Sequence, residues 1–375
     1  MKPIPILYII DKMAIGGSQR HLAKVIPRLG GMGFDPYLCC LQQTGPLAEN
    51  LDPGRVFCLG LTRIYTPRAL FGIRKLIRFM REKQIMVAHS YLFSANIYGA
   101  AAACLAGVPV NLNSRRDTQF GKKLRHWVAL RLGNEIVDGV VVNSAELVKF
   151  ISEKENLEQS RIYKIYNGIS TFPLDDDIRT RTRSALGLAD GDICIGYLAR
   201  FRPSKDHATA LRAAACLCRE HPHARFVFVG EGDTRPEAEI MASKLGIEKY
   251  CIFTGERRDV TELAQAFDIA VFTSIAEGFP NALLEVMMAA KPVVASNISG
   301  NNEGVLPGIN GFLVDTGDYG AFARQLDVLI RNKDFRKRMG MASRRRVLNT
   351  YTLDGMVHSM AELYRALLAE KRGTH

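Results

Sequence analysis

The sequence predicts an α/β fold in which two doubly wound parallel-sheet domains face each other across a cleft. Its 375 residues are too many for one ordinary hydrophobic core and suit two domains of roughly 150–200 residues each. Short apolar runs alternate with amphipathic segments, which is typical of strand–helix–strand units in a parallel sheet. The alternation begins again near Asp192, after a polar segment with three consecutive aspartates, which indicates a second domain.

The two series of elements set the expected domain bounds. Strands of the first domain, residues 1–170, are predicted for the runs IPILYII, PYLCCL, IMVAHSY, VPVNLN and DGVVVNS. Strands of the second domain, residues 171–354, are predicted for ICIGYLA, RFVFVG, CIFTG, DIAVFTS and PVVAS. The linker is expected within residues 168–177, and a final helix within 355–375 is expected to rejoin the first domain. Because ligands bind beyond the carboxyl ends of such strands, two facing sheets predict a large ligand between the domains.

Charge and composition narrow the classes of protein. The chain is 47% hydrophobic and 23% charged, as globular proteins are, and no apolar run reaches the ~18–20 residues of a membrane span. Eight cysteines without a framework spacing fit reduced thiols in a cytoplasmic protein. Residues 1–170 hold 23 Lys and Arg against 12 Asp and Glu, whereas the rest of the chain is nearly neutral. This basic half favours an anionic surface or an anionic ligand.

The segment GYLARFRPSKDH follows the first strand of the second domain. Arg200 is expected at the strand end, and Lys205 at the start of the next helix. A guanidinium binds phosphate oxygens with two parallel hydrogen bonds, and an ammonium adds a point charge beside the helix N-terminus. Together they could neutralise a diphosphate without a metal. A solvated basic loop explains the same residues.

The segment IGGSQRH follows the first strand of the whole chain. Gly16 and Gly17 allow the backbone to approach a ligand closely. The segment lacks the spacing G-x-G-x-x-G of a dinucleotide site, which disfavours NAD. A simple turn from strand to helix is the alternative interpretation.

The segment SIAEGFPNALLE places two carboxylates around a predicted helix start. Pro280 fits just before a first turn, Asn281 is a plausible N-cap, and Glu285 lies about one turn later. The helix dipole favours an acid at Glu285, but it does not account for Glu277, which precedes the helix. The alternative is that both acids hold a ligand rich in hydroxyl groups.

Histidines give weaker signals. His89 is expected to end the strand IMVAHS, where it could hydrogen-bond a substrate, although a lone histidine is more often structural. In CLCREHPH, the residues Cys216, Cys218, His221 and His223 lack the spacing of a structural zinc site, so no metal site is expected.

A predicted helix within residues 118–133 combines an apolar stripe with basic flanks. The stripe contains Phe120, Leu124, Trp127 and Val128, and the flanks contain Lys122, Lys123, Arg125 and Arg131. A helix that faces the core with a solvated basic side explains the pattern. The alternative is a surface helix that touches anionic lipid headgroups, which the basic first domain favours.

Taken together, these segments resemble one known family, the retaining nucleotide-sugar glycosyltransferases of the GT-B fold, glycosyltransferase family four (group 1). The matching segments are IGGSQR, GYLARFRPSKD, ARFVFVGEG, IFTGERRDV, SIAEGFPNALLEVMMAAKPVVAS and NGFLVD. The resemblance extends over nearly the whole chain and is densest in residues 193–315. It rests on two glutamates separated by seven residues, Glu277 and Glu285, together with Arg200 and Lys205 earlier in the chain. It implies an acceptor-binding first domain, a donor-binding second domain and a donor bound without a metal or other cofactor.

The resemblance implies roles in the second domain. Arg200 and Lys205 would bind the donor diphosphate, and Glu285 would accept hydrogen bonds from the ribose hydroxyls. Glu277 would contact the donor sugar. The other donor-binding positions implied are Gly278, Phe279, Asn281 and Glu303.

Roles in the first domain follow in the same way. Gly16 and Gly17 resemble the loop near the diphosphate and the acceptor, and His89 matches a histidine that faces the sugar. Gln19 departs from the family pattern, which often has Glu there, and this leaves an acid–base role at that position in doubt. The residues expected to act in catalysis are Glu277, His89, Arg200 and Lys205.

The expected reaction is sugar transfer from a nucleotide-diphosphate sugar to a hydroxyl group, with retention at the anomeric carbon. A saccharide or lipid-linked saccharide is the expected acceptor, as in cell-envelope polysaccharide synthesis. We expect a cytoplasmic enzyme on the inner face of the cell membrane that binds no nucleic acid, since aromatic residues do not interleave with the basic clusters. The alternatives are a nucleotide-sugar 2-epimerase of the same fold and a non-enzymatic anion-binding protein.

Overall fold

The computed structural model describes residues 2–14, 16–49, 51–61, 67–116 and 124–373. The chain divides into two compact units. Unit 1 contains residues 1–167 and 353–375, and unit 2 contains residues 168–352. Each unit is an α/β domain built on its own parallel sheet.

Unit 1 contains a seven-stranded sheet of order β3-β2-β1-β4-β5-β6-β7, in which every described pair is parallel. Its strands are β1 (Ile4–Lys12), β2 (Phe34–Gln43), β3 (Val56–Cys58), β4 (Val87–Tyr91), β5 (Val110–Arg115), β6 (Gly139–Val142) and β7 (Ile162–Lys164). Its helices are α1 (Gly17–Gly30), α2 (Pro67–Glu82), α3 (Phe93–Ala106), α4 (Leu124–Asn134), α5 (Ala145–Glu155) and, at the end of the chain, α14 (Leu353–Gly373).

The core of unit 1 lies on both faces of the sheet, and β1 shows why. Ile6, Tyr8 and Ile10 point to the face that α1 and α14 cover, whereas Leu7 and Ile9 point to the opposite face. Successive strand residues alternate between faces, so a strand buried on both sides is apolar throughout. The continuous run IPILYII therefore belongs to a central strand.

Unit 2 contains a six-stranded parallel sheet of order β10-β9-β8-β11-β12-β13. Its strands are β8 (Ile193–Leu198), β9 (Ala224–Val229), β10 (Cys251–Gly255), β11 (Ile269–Phe272), β12 (Val293–Ser296) and β13 (Gly311–Val314). Its helices are α6 (Asp176–Ala185), α7 (His207–Leu217), α8 (Arg235–Lys244), α9 (Val260–Ala266), α10 (Asn281–Met288), α11 (Ser299–Gly304), α12 (Tyr319–Arg331) and α13 (Lys333–Thr350). The two sheets confirm the predicted pair of doubly wound domains.

The strand order defines where a ligand is expected in each sheet. In unit 1 the connections run in opposite directions from β1 and β4, and in unit 2 they do so from β8 and β11. A crevice opens at such a switch point, beyond the carboxyl ends of the two strands. In unit 2 the loops that follow β8 and β11 contain Arg200, Lys205 and Glu277.

Candidate active site

The loop after β8 has a defined shape. It forms a 3₁₀ turn over Pro203–Lys205, and Asp206 then caps α7. The Asp206 carboxylate accepts hydrogen bonds from the N–H and hydroxyl groups of Thr209, at 3.2 and 2.6 Å. Lys205 therefore precedes α7 by two residues, whereas the sequence placed it at the helix start.

Lys205 and Glu277 form an ion pair between the two loops. The Lys205 ammonium donates to Oε1 of Glu277, and the Ser274 hydroxyl donates to the same oxygen at 2.8 Å. Both side chains are mostly buried, with 21% of Lys205 and 14% of Glu277 exposed. Sequence reasoning assigned these residues to different parts of a ligand. The structure shows that each also orients the other.

The backbone around Lys205 is held by Tyr197 of β8 and by the residues that follow β11. The Tyr197 hydroxyl donates to the Lys205 carbonyl, and the Thr273 hydroxyl donates to the Asp206 carbonyl at 2.7 Å. The N–H of Ile275 donates to the Ser204 carbonyl at 2.9 Å. The loops after β8 and β11 are thus fastened together by backbone acceptors, independently of the ion pair.

His207, next to this loop, contributes no charge. Its ring stacks on Phe201 with the centroids 4.0 Å apart and the planes 13° apart. Burial, and then the charge of Lys205, lower the pKa of His207 to about 3. The imidazole is therefore neutral near pH 7, and Lys205 provides the cationic charge at this turn.

Arg200 is exposed on the same loop, two residues beyond β8. The loop backbone lies against two glycines with left-handed φ angles. A Cβ on Gly230 would be 2.0 Å from the Ala199 carbonyl oxygen, and one on Gly232 would be 2.2 Å from that of Phe201. Only glycine permits this approach, so both glycines fix the path of the loop that presents Arg200.

The loop after β11 leads into α10. Pro280 is its N-cap and Asn281 its first residue, with no capping side-chain hydrogen bond, so the predicted Asn281 cap is wrong. Pro280 has an extended conformation there, and the helix starts one residue earlier than an Asn281 cap would place it. Glu285 is partly buried in the second turn. Phe279 packs its ring 5.0 Å from that of Tyr351 and is 4% exposed, so it can offer a ligand only its backbone.

The start of α11 supports the loop that contains Glu277. The Ser299 hydroxyl donates to the Glu277 carbonyl at 3.2 Å. A Cβ on Gly300 would be 2.0 Å from the Gly278 carbonyl oxygen, so the two segments are in direct backbone contact. Glu303 is partly buried on the same short helix, and its carbonyl accepts from Tyr351 at 2.8 Å.

In unit 1, α1 begins at Gly17 beyond the carboxyl end of β1. Gly16 is its N-cap, and the first turn has no side-chain cap among the described residues. A Cβ on Gly17 would meet no atom within 4 Å, so open space lies beside it. This arrangement leaves backbone N–H groups available to a ligand.

His89 does not end its strand. It lies in the middle of β4, paired with Tyr8 and Leu112 of the neighbouring strands, and its side chain is fully buried. Nδ1 is 2.8 Å from the Tyr364 hydroxyl, and Nε2 is 2.9 Å from that of Ser114. Burial, and then the charge of Arg116, hold the pKa of His89 well below its usual range. The predicted place of His89 at the strand end is wrong, and both of its ring nitrogens are occupied within the core.

The stripe predicted for residues 118–133 divides between two faces of α4. Leu124 and Val128 are 79% and 47% exposed, and Leu132 continues their line at 67%. Trp127 instead packs on Phe150 of α5, with ring centroids 5.7 Å apart. Residues four apart share a helix face, and Trp127 lies on another. The predicted members Phe120, Lys122 and Lys123 lie outside the described residues.

Two family models match the chain, one over each half. The model described as Glycosyltransferase Family 4 matches residues 15–171, and the model described as Glycosyl transferases group 1 matches residues 178–346. The putative glycosyltransferase EpsF of Bacillus subtilis (strain 168) is 30% identical over 310 residues, which cover 78% of this chain and 79% of EpsF. The chain belongs to the group 1 (family 4) glycosyltransferases. The predicted membership is confirmed.

Other relatives show how far the likeness extends. Putative glycosyltransferase EpsD of the same organism is 32% identical over 212 residues, 56% of this chain and 55% of EpsD. The chain thus spans about half the length of that relative. The UDP-Gal:alpha-D-GlcNAc-diphosphoundecaprenol alpha-1,3-galactosyltransferase of Escherichia coli is 25% identical over 379 residues, which cover 95% of each chain.

A solved structure has the same fold as this family member. Anabaena HepE, crystallised in complex with UDP, superimposes with a TM-score of 0.84 at 22% sequence identity. The match covers 97% of this chain and 100% of the HepE chain. The likeness confirms the predicted GT-B fold class.

Sequence reasoning missed the side chains that position the site of this glycosyltransferase. Tyr197, Thr273, Ser274 and Ser299 hold the loops that contain Lys205 and Glu277. A signal was present for two of them, because the run DIAVFTS ends in hydroxyl residues immediately before the acid-bearing loop. The partners of Tyr197, Thr273 and Ser299 could not be read from the sequence, since they lie in loops that only the fold brings close to these residues.

Within the described residues, one group of side chains has the spacing of a metal site. Ligand atoms of Glu220, His221 and Asp327 lie within 4.8 Å of one another at the surface of unit 2. Arg331 forms ion pairs with both carboxylates, at 2.9 and 2.8 Å. His221 contacts Asp327 at 2.6 Å. The cluster is therefore explained as a surface ion-pair network.

Proposed function

We propose that this family 4 glycosyltransferase moves a sugar from a nucleotide-diphosphate sugar to a hydroxyl of a saccharide or lipid-linked saccharide, with retention at the anomeric carbon. The observation that supports this most directly is the Lys205–Glu277 pair at the switch point of unit 2. A cation and a carboxylate are held there together, on loops fastened to each other, where parallel sheets bind ligands.

Donor binding exchanges the partners of this pair. The diphosphate replaces Glu277 as the counter-ion of Lys205, and Arg200 adds a guanidinium from the exposed side of the loop. Glu277 is then available to the sugar hydroxyls. These side-chain cations provide the positive charge that the diphosphate needs, so the proposal requires no metal.

The remaining donor contacts come from α10, α11 and α1. Glu285 accepts hydrogen bonds from the ribose hydroxyls, and the backbone of residues 278–281 contacts the sugar at the start of α10. Glu303 remains a donor-side acid on α11. Gly16 and Gly17 present the uncapped first turn of α1 to the phosphates or the acceptor. His89 has no direct role, because it is enclosed in the core of unit 1.

Charge develops on the leaving diphosphate as the glycosidic bond breaks. Lys205 and Arg200 stabilise that charge more in the transition state than in the bound donor, which accelerates the step. The leaving phosphate oxygen accepts the proton of the acceptor hydroxyl on the same face of the sugar. This same-face attack gives retention.

Two substitutions test the donor site. Lys205→Ala and Glu285→Ala should each lower kcat/KM for sugar transfer by about 10²-fold or more, as expected for loss of a group that stabilises developing charge or orients the donor. Lys244→Ala and Glu248→Ala are matched controls on the exposed surface of the same unit, and should leave transfer unchanged. Full transfer activity in both site variants, measured on folded protein, would contradict the proposal.

The acceptor belongs to cell-envelope polysaccharide synthesis in this proposal. The name of the E. coli relative specifies a diphosphoundecaprenol-linked sugar as acceptor, and its match covers 95% of both chains. An acceptor of this kind lies in a membrane. The basic charge of residues 1–170 suits such a location, since anionic headgroups attract Lys and Arg.

A membrane contact of unit 1 is proposed through α4. Leu124, Val128 and Leu132 form an exposed apolar line, and Arg125 is exposed beside it. An exposed apolar line of this kind can bind a membrane by burying apolar area while the adjacent basic residue meets anionic lipid. Within the described ranges, no helix combines the length and apolar character needed to cross a bilayer.

Vesicle sedimentation tests this contact. Val128→Lys should weaken binding to vesicles containing anionic lipid, because an apolar anchor is removed from the line. Val328→Lys is the matched control, since Val328 is exposed to a similar extent, 43% against 47%, but lies in unit 2. Equal binding by both variants, or binding by neither the variants nor the unsubstituted chain, would refute the membrane contact.

A further inference from the structure

Two adjacent arginines at the end of β5 have opposite environments. Arg115 is fully buried and forms a two-bonded pair with Glu155, in which both N···O distances are 3.0 Å. Arg116 follows it immediately, beyond the carboxyl end of the strand. Among the described residues, no carboxylate forms an ion pair with Arg116. The charge of Arg115 is neutralised by Glu155, whereas no carboxylate of the described ranges neutralises that of Arg116.

Neutral groups hold the guanidinium of Arg116 in place. Nη1 donates to Oδ1 of Asn167, and Nη2 donates to Nε2 of His21, 2.5 Å away. The guanidinium carbon lies 5.4 Å from the centroid of the Tyr91 ring. Burial, and then Arg116 itself, hold the pKa of His21 well below its usual range, so that the imidazole stays neutral and accepts.

The described contacts therefore orient a cation without supplying a counter-ion. A partly buried charge is unfavourable unless a counter-ion or water replaces its lost hydration. Neutral acceptors satisfy donors but leave the net charge. A guanidinium has five N–H donors, and the two bonds above use two of them. Nε of Arg116 is shielded and has no hydrogen-bond partner in the part of the chain that the structure describes. The residue therefore has both charge and directed donors available for an anion.

The position of Arg116 indicates which anion. It lies at the ligand-binding edge of the unit 1 sheet, and its contact with His21 places it against the first turns of α1. Guanidinium forks match the geometry of phosphate oxygens. We propose that Arg116, oriented by Asn167 and His21, binds a phosphate group of a substrate. This inference rests on the proposed function, which supplies the identity of the substrate.

Two sources of that phosphate are chemically equivalent at Arg116. One is the diphosphate of the nucleotide-sugar donor, and the other is the diphosphate of a lipid-linked acceptor. Both present the same oxygens to the guanidinium. Inorganic pyrophosphate is therefore a suitable probe of the site, and nucleotides distinguish the sources.

The test uses the full chain with Lys205→Ala, in which pyrophosphate binding at the loop after β8 is weakened. Calorimetric titration should still show a pyrophosphate site in unit 1. Adding Arg116→Gln should raise the dissociation constant of pyrophosphate at this site by about 10-fold or more. This is the size expected for the loss of a charge-assisted hydrogen bond worth ~1.5–3 kcal/mol. Arg78→Gln changes the same charge on the exposed surface of α2 and should have no effect.

A charge-conserving variant distinguishes the loss of the guanidinium from a general effect of misfolding. Arg116→Lys keeps the cation but loses the fork, so it should bind pyrophosphate more weakly than the parent and more tightly than Arg116→Gln. Unchanged affinity in both Arg116 variants would overturn the proposal, as would the absence of any pyrophosphate site in the Lys205→Ala chain.

Titration of pyrophosphate in the presence of saturating nucleoside diphosphate then distinguishes a donor phosphate from an acceptor phosphate in the unsubstituted chain. If the phosphate belongs to the acceptor, pyrophosphate still binds with nucleoside diphosphate present, and Arg116→Gln leaves nucleotide affinity unchanged. If it belongs to the donor, Arg116→Gln weakens nucleoside diphosphate binding itself. Either result supports a phosphate site at Arg116. Failure of the proposed transfer reaction would be seen separately, as unchanged activity in the Lys205 and Glu285 variants.

Discussion

At the residue scale, the candidate site contains an ion pair that joins two loops. Lys205 and Glu277 neutralise each other, and Ser274 orients the carboxylate. The two residues are 72 positions apart. Sequence reasoning identified each as a ligand contact but could not predict the pair, because the separation gives no sign that the loops after β8 and β11 adjoin.

A second lysine of unit 2 gives a pH-dependent prediction. Burial, and then the charge of Arg179, lower the pKa of Lys291 to about 7, while its ammonium donates to the Gln265 carbonyl at 2.8 Å. The unfolded chain keeps the usual pKa of about 10.4. Between these values the unfolded state binds the extra proton, so stability from this group rises with pH.

Lys291→Met removes that dependence. The variant should gain unfolding free energy relative to the parent at pH 6.5, where the buried amine of the parent is charged. This gain should shrink towards pH 9, where the folded parent has already lost the proton. Urea unfolding at both pH values measures the difference, and Lys244→Met is the exposed control. An equal gain at both values would contradict the assigned pKa.

His89 shows why a single residue can mislead. The run IMVAHSY gives no sign of where the strand ends, so a histidine near its end was expected at the ligand edge. In the structure, Tyr364 reaches His89 from the last helix, 275 positions later in the chain. The Tyr364 hydroxyl occupies Nδ1 of His89, so that nitrogen is not available to a ligand. Only the tertiary fold brings Tyr364 to this position.

At the element scale, the most predictable features were the central strands. Continuous apolar runs such as that of β1 identify strands buried on both faces, and the rhythm of runs and amphipathic segments identifies the parallel connections. The orientation of α4 was less predictable. Apolar side chains lie on more than one of its faces, so the sequence did not show that Trp127 faces α5 while Leu124 and Val128 face outward.

The contact of α11 with the loop after β11 gives a further prediction. Gly300→Ala would place a methyl group 2.0 Å from the Gly278 carbonyl oxygen. Relief of this overlap should displace the Glu277 loop, lower the unfolding free energy by about 1–3 kcal/mol and reduce sugar transfer. Urea unfolding measures the change in unfolding free energy, and kcat/KM measures the change in sugar transfer.

Gly191→Ala is the matched control in the same unit, since a Cβ there would meet no atom within 4 Å. It should change neither quantity appreciably. If Gly300→Ala behaved like this control, the α11 contact would have no role in positioning Glu277.

At the scale of the whole molecule, the two units have similar folds but different net charges. Residues 1–170 are strongly basic and the remainder is nearly neutral, as the sequence alone establishes. Most of the proposed donor contacts lie in unit 2, whereas the basic half of the sequence and Arg116, for which the described residues provide no ion pair, lie in unit 1. This division is consistent with a donor site in one unit and an anionic or membrane-held acceptor at the other.

The central claim is that unit 2 binds a nucleoside diphosphate through Lys205. Thermal unfolding with UDP, GDP and ADP tests it most directly, because a ligand at 100 times its dissociation constant stabilises the folded state by about 2.7 kcal/mol. We predict that at least one of the three raises the melting temperature of the unsubstituted chain and of Lys244→Ala, and raises that of Lys205→Ala much less. No increase with any of the three, or an equal increase in Lys205→Ala, would contradict the claim.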